Sequence, residues 1–269
     1  MKNIFKIGFI GYGNMSCAIL NGINKSQSIA SETICVYDID DSKKELAESF
    51  GYHFATSTNE VFDSCEYIFL CIKPQFFDSM AETVSNKEGS YKLISIMAGK
   101  NIAQIKSHFS NSKVLRTMPN TPCLIGKGVV AICRNDFNNE EFEFAKSIFD
   151  TCAETYETME SEINKIIVAS GSAPAYTFLF ADYLTQKCTE IGLESKLAKE
   201  LTLNTIIGAC ELAKTSEESL ATLCERVCSK GGTTIEAVKT MENSNMKEII
   251  FEALQNCFDR ANELTGDKQ

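Results

Sequence analysis

The stretch KIGFIGYGNMSCAIL, Lys6 to Leu20, decides how the rest of the chain is read. Lys6 to Ile10 is short, apolar and β-prone, and it breaks at Gly11-Tyr12-Gly13. Asn14, Met15 and Ser16 then lead into a helix through Leu20. A strand, a glycine turn and a helix N-terminus together form the arrangement that holds a dinucleotide pyrophosphate. Gly11 allows the tight turn, and Gly13 removes the side chain where backbone approaches phosphate. Ser16 stands where a third small residue lets helix pack on strand. The unpaired N–H groups at the helix start, at the positive end of its dipole, face the anion. The next strand-like run, Thr33 to Tyr37, ends in Asp38, 27 positions after Gly11. The fingerprint expects an acidic residue roughly 20 positions on, bound to the ribose hydroxyls. The reading is a nicotinamide dinucleotide site, with an ordinary turn between strand and helix as the lesser alternative for the glycines.

Composition narrows the classes. A chain of 269 residues holds one large or two ordinary domains. A 44% hydrophobic and 23% charged content is that of a soluble globular protein. The net charge of −10 argues against a nucleic-acid partner, which needs a positive surface. No apolar run approaches the roughly 20 residues that span a bilayer. Met1 to Phe5 carries no small-residue cleavage site, so a cytosolic chain without a signal peptide is expected. The 12 cysteines are scattered through apolar runs, as at Cys35, Cys71, Cys133 and Cys210, with no Cys-x-x-Cys pair. They read as reduced, small apolar residues. With only His53 and His108 as imidazoles, a zinc site has little to be made from, and no metal is expected.

Strands alternate with helices up to about residue 160. Glu66 to Ile72 is a near-continuous apolar run, as in a strand buried on both faces of a parallel sheet. It stops at Lys73-Pro74-Gln75. Lys92 to Met97 and Lys113 to Thr117 are further strands, the last ending in Met118-Pro119-Asn120-Thr121-Pro122. Gly126 to Cys133 and the charged run Glu154 to Met159, an edge strand, follow. The pattern predicts an α/β fold, a doubly wound Rossmann-type sheet with right-handed crossovers. Its ligands lie beyond the carboxyl ends of the strands, so the turns at Gly11, Lys73 and Met118 share one rim. Simple chain reversal explains the two proline turns equally well.

From Ser161 on, the segments read as helices, which sets a boundary near 160: a dinucleotide domain over 1–160 and an all-helical dimerisation and substrate domain over 161–269. Tyr176 to Ala181 and Leu201 to Cys210 are apolar almost all round and must be buried on most faces. A subunit partner is the expected cover. Near the end stands SKGGTTIEA, Ser229 to Ala237. Gly231-Gly232 is a flexible turn, and Thr233-Thr234 is placed at the N-cap of the next helix. Hydroxyls and free N–H groups there suit a carboxylate, though plain helix capping accounts for the same residues.

The motifs GYGNMSCAI, CIKPQ, MPNTP, GSAPAY (Gly171 to Tyr176) and SKGGTTIEA, in this order, resemble pyrroline-5-carboxylate reductase, the last enzyme of proline biosynthesis. The resemblance covers essentially the whole chain. It implies a Rossmann domain followed by a helical domain that interlocks with its twin in a homodimer, sometimes assembled into a decamer. It implies NADPH or NADH as cofactor and pyrroline-5-carboxylate as substrate, held next to a cofactor of the other subunit. By position, Gly11, Tyr12, Gly13, Asn14, Met15 and Ser16 surround the pyrophosphate. Asn59 and Cys71-Ile72-Lys73-Pro74 line the adenosine and nicotinamide ribose side, and Met118, Pro119 and Asn120 border the nicotinamide. Ser229, Gly231, Gly232, Thr233 and Thr234 hold substrate, with Thr234 hydrogen-bonding the ring nitrogen as the catalytic candidate. Two departures stand out: Lys230 replaces the family's usual proline, and Ala173 its usual glycine.

The implied reaction is hydride transfer to C5 of the cyclic imine, giving proline. A protonated imine is already electrophilic, so positioning and charge placement carry most of the catalysis. Thr234 donates to nitrogen or orders a water that supplies the proton. Asp38 binds ribose hydroxyls and repels a 2′-phosphate, which favours NADH, with Lys43 and Lys44 close enough to blur the choice. A β-hydroxyacid dehydrogenase is the enzymatic rival, but the motif that should flank a catalytic lysine is missing around Lys165. A dinucleotide-binding regulator or pyridoxal-phosphate carrier without turnover is the rival of another class.

Overall fold

Eight strands form one sheet in the order β3-β2-β1-β4-β5-β6-β7-β8, in a computed structural model that describes residues 4–266. The strands are β1 (Phe5–Ile10), β2 (Ile34–Tyr37), β3 (His53–Phe54), β4 (Cys65–Leu70), β5 (Lys92–Ser95), β6 (Lys113–Pro119), β7 (Gly128–Cys133) and β8 (Ala153–Glu157). β1 lies between β2 and β4, with Ile7 beside Ile34 and Tyr67, so the strand order reverses there. That is the switch point at which doubly wound sheets open a crevice for ligand. The first six strands are parallel.

Helices cover both faces. They are α1 (Asn14–Ser26), α2 (Lys44–Ser49), α3 (Thr58–Ser64), α4 (Phe77–Thr83), α5 (Ile102–Lys106), α6 (Asn139–Asp150) and α7 (Glu160–Ile166). One core gathers Phe9, Ile19, Phe69, Leu115 and Phe149 under α1 and α6, with Phe9 and Phe69 stacked at 4.5 Å. The other gathers Ile68, Leu70, Phe77, Val114 and Phe109 under α3, α4 and α5. Apolar side chains pointing both ways from β4 account for its unbroken apolar run.

One detail differs from the expectation. β6 does not stop at Thr117 but runs through Met118 to Pro119, because β7 pairs with it antiparallel, Met118 opposite Ala131 and Pro119 opposite Val130. β5 ends at Ser95, opposite Arg116, so Pro119 has a strand neighbour on one side only, where a missing N–H is tolerated. The chain forms two compact units. One compact unit holds residues up to Ser172 together with those from Phe258, and the other holds Ala173 to Cys257.

The first unit includes a turn of π-helix, Ile167–Gly171, directly after α7, closed by the Ser172 N–H on the Ile167 carbonyl at 2.8 Å. The second unit consists of α8 (Ala173–Glu190), α9 (Ser195–Thr215), α10 (Leu220–Val227), α11 (Thr233–Asn243) and most of α12 (Met246–Thr265). The α10 helix was not anticipated as a separate element. α8 and α9 pack on each other yet leave Phe178, Leu179, Tyr183, Leu201 and Ile207 exposed. No helix among the described residues is long and apolar enough to cross a membrane.

Candidate functional site

The glycine turn is locked from three sides. The Gly11 N–H donates to the Tyr37 carbonyl at 2.8 Å, and the Ser16 hydroxyl donates to the Gly11 carbonyl at 2.6 Å. Gly11 itself has φ of +97°, and a Cβ there would lie 2.6 Å from the Cys71 carbonyl oxygen. Only glycine fits both the conformation and the space. Gly13 is different: a Cβ there would meet nothing within 4 Å. It is the N-cap of α1 with no side-chain cap bond, so the first helical N–H groups, at exposed Asn14 and half-buried Met15, receive no cap from a side chain. The protein does not itself fill the space Gly13 leaves, which fits approach by a pyrophosphate.

Asp38 stands at the end of β2 and is tied into this turn. Its Oδ2 accepts from the Tyr12 N–H at 2.7 Å and from Lys43 Nζ at 2.7 Å, and its Oδ1 accepts from the Asp40 N–H at 3.0 Å. Burial alone would raise its pKa. Lys43 and the two N–H donors outweigh that and hold the carboxyl below its ordinary value. Lys43, expected from sequence to lie close enough to blur the cofactor choice, is an ion-pair partner of Asp38.

The other rim residues follow from the strand ends. The Cys71 N–H donates to the Ile10 carbonyl at 2.8 Å, bringing Cys71 and Ile72 beside Gly11. Lys73 is exposed and caps the short 3-10 turn that Pro74 opens. Asn59 uses its side chain within the protein: Nδ2 donates to the Thr83 carbonyl at 2.9 Å and Oδ1 accepts from the Ser85 N–H at 2.7 Å.

Met118, Pro119 and Asn120 stand at the carboxyl end of β6. Asn120 is buried; its Oδ1 accepts from the Val129 N–H at 2.9 Å, and its Nδ2 donates to the Ser170 carbonyl at 3.3 Å and the Ser170 hydroxyl at 3.4 Å. It therefore joins β6, β7 and the π turn. Ser170 and Gly171 stand against Asn120 and Met118 although no role had been given to them; Gly171 opens the GSAPAY stretch, and Ser170 directly precedes it.

Ser229 to Gly232 lie in the second unit, between α10 and α11, and Thr233 and Thr234 open α11. The Gly232 N–H donates to the Ser229 carbonyl at 3.0 Å, closing a four-residue turn with Gly231 at φ of +72°. Lys230 occupies the second position of that turn, where proline's fixed φ is favoured. A Cβ on Gly232 would lie 2.4 Å from the Ser229 hydroxyl. The N-cap of α11 is Gly232, not Thr233 or Thr234, which are its first two residues. No side chain caps this helix either, which leaves its first N–H groups and the Thr233 and Thr234 hydroxyls on one turn.

Known proteins resemble this chain over nearly its whole length. A family described as pyrroline-5-carboxylate reductase dimerisation matches residues 160–264, and one described as NADP oxidoreductase, coenzyme F420-dependent, matches residues 6–99. The pyrroline-5-carboxylate reductase of Synechocystis sp. is 31% identical over 96% of this chain and 98% of its own. That of Escherichia coli is 31% identical over 97% and 98%. Among solved structures, the Plasmodium falciparum pyrroline carboxylate reductase with NADP bound superposes with a TM-score of 0.89 at 28% identity, covering 98% of this chain and 100% of that one. The Coxiella burnetii pyrroline-5-carboxylate reductase gives 0.85 at 30% identity, over 98% and 99%.

Proposed function

This chain belongs to the pyrroline-5-carboxylate reductase family, and on that premise we propose how its own residues divide the work. It is an NAD(P)H-dependent oxidoreductase that reduces the C=N bond of 1-pyrroline-5-carboxylate to give L-proline, the last step of proline biosynthesis. The observation that carries the residue assignment is a pair of helices that start behind an uncapped glycine N-cap: α1 behind Gly13 and α11 behind Gly232. One suits a pyrophosphate and the other the substrate carboxylate.

Bound NAD(P)H supplies the hydride that reaches C5 of the imine. Gly11, Tyr12, Gly13, Asn14, Met15 and Ser16 hold the pyrophosphate, with Asp38 keeping the Tyr12 N–H in place. Asp38 also takes ribose hydroxyls, which favours NADH. Because Lys43 offsets its charge, that preference is one of degree. Asn59 acts by fixing the α3 and α4 ends, while Cys71, Ile72, Lys73 and Pro74 line the ribose side. Met118, Pro119 and Asn120 border the nicotinamide. In the other unit, Ser229, Gly231, Gly232 and Thr233 cradle the carboxylate. Thr234 donates to the ring nitrogen or orders the water that protonates it.

Residues 1–160 form the dinucleotide half and 161–269 the dimerisation and substrate half; all eight strands precede 160, and the dimerisation match starts there. The enzyme works as a homodimer, further assembled into a decamer, in the cytoplasm, in keeping with its twelve free cysteines.

The test follows nicotinamide fluorescence with pyrroline-5-carboxylate, using NADH and NADPH in parallel and identifying proline as product. Binding of both cofactors without consumption of either would overturn the catalytic reading.

A further inference from the structure

We propose that Gly171 is a positioning residue: the π turn puts a glycine against the Met118 methyl, and the missing side chain fixes where Met118 stands. A Cβ on Gly171 would lie 2.7 Å from Met118 Cε, while its next neighbour, the Ile167 Cγ2, is at 3.8 Å. Met118 is thus the single crowded contact. The turn cannot drift away, because Asn120, two residues beyond Met118, holds Ser170, one residue before Gly171. The Asn120 Oδ1 is in turn fixed by the Val129 N–H. Strand end and π turn are therefore clamped one residue from the contact, and Met118 is the one movable part. One-turn π insertions recur at functional sites because they re-aim the residues around them.

This rests on the reading that Met118 borders the nicotinamide. A methyl on Gly171 is accommodated by rotating a flexible thioether, which leaves the fold intact and shifts the group that faces the reacting ring. The effect therefore falls on turnover and leaves stability and cofactor affinity nearly untouched.

The test compares Gly171→Ala, Met118→Ala and the double variant with the wild type. The readouts are melting temperature, NADH affinity by fluorescence, kcat and KM, and the isotope effect with cofactor deuterated at the transferred position. Gly171→Ala is expected to melt within about 4 °C of wild type. It should bind NADH within about threefold, yet turn over roughly tenfold more slowly with a larger isotope effect. In the Met118→Ala background the same change should cost little further, since nothing remains to be displaced. Undiminished kcat in Gly171→Ala, or a full additional loss in the double variant, overturns the proposal and leaves Met118 in its place. If Met118→Ala alone changes neither kcat nor the isotope effect, the placement of Met118 at the nicotinamide fails, and the proposal with it.

Discussion

The carboxylate of Asp38 accepts the backbone N–H of Tyr12 at 2.7 Å, so the residue proposed for the ribose also shapes the turn proposed for the pyrophosphate. Asp38→Ala should therefore weaken both cofactors, NADH by roughly tenfold or more because its ribose bonds go too, and NADPH by about threefold because relief of the 2′-phosphate repulsion offsets part of the same lost bond to the turn. Fluorescence titration of both cofactors checks this. A loss confined to NADH would mean that the Tyr12 contact is unimportant.

Lys43 offers the complementary experiment. Its ammonium sits 2.7 Å from the Asp38 carboxylate, the group proposed to face the ribose. Lys43→Met should raise the NADH-to-NADPH efficiency ratio by about fivefold or more, by exposing the phosphate to an unscreened Asp38. An unchanged ratio removes Lys43 from cofactor choice.

Thr234 is the second residue of α11, half-buried at the substrate turn. Thr234→Ala should lower kcat by roughly a hundredfold or more while leaving cofactor affinity intact, and Thr234→Ser should restore most of it. Near-normal turnover in the alanine variant ends its assigned role.

Arg116 in β6 is 1% exposed, and its Nη1 donates to Glu160 Oε1 at 3.2 Å while Nε and Nη2 find no acceptor. Glu160 is the counter-charge of a buried guanidinium and also accepts from the Ile102 N–H at 2.7 Å. Glu160→Gln leaves the cation uncompensated and should cost about 3 kcal/mol, read by denaturant unfolding. A change below about 0.5 kcal/mol would mean that water already serves the arginine.

Acid stability follows from the carboxylates. Burial would raise Glu66 and Glu141, but Lys6 and Lys92 around the first, and Lys113 with the Asn138 N–H around the second, hold both below the ordinary 4.5. Asp38 behaves likewise against 3.8. Each binds its proton less readily folded than unfolded. Their contribution is thus complete above the ordinary values and lost as pH falls through the lowered ones. Melting temperature should show no loss from these groups between about pH 5 and 7, and should fall steadily below about pH 4.

Much of this was legible because it is local. The apolar run to Ile10, the Gly11 turn and the start of α1 follow one another in sequence, and the two-faced burial of β4 is written in its unbroken hydrophobic run. What escaped depends on distant partners. The direction of β7, which carries β6 on to Pro119, is not encoded in either strand's own pattern. The π turn is held by Asn120 from fifty residues away. Gly232 rather than Thr233 caps α11 because glycine and hydroxyl residues are near equals there, and three candidates stand side by side. The short α10 helix, with Leu220, Leu223 and Val227 on one stripe, was hidden by the polar residues before it.

The unit built on the eight-stranded sheet is not contiguous in the chain: it stops at Ser172 and is rejoined at Phe258. Near the far end of α12, the Thr265 carbonyl accepts from the Asn101 side chain at 3.2 Å, and Leu264 lies where a side chain on Gly99 would have to go. During synthesis, then, the sheet emerges from the ribosome long before the residues that close it. The nascent sheet must wait, unsealed at the α5 side, until the chain beyond Phe258 has been translated.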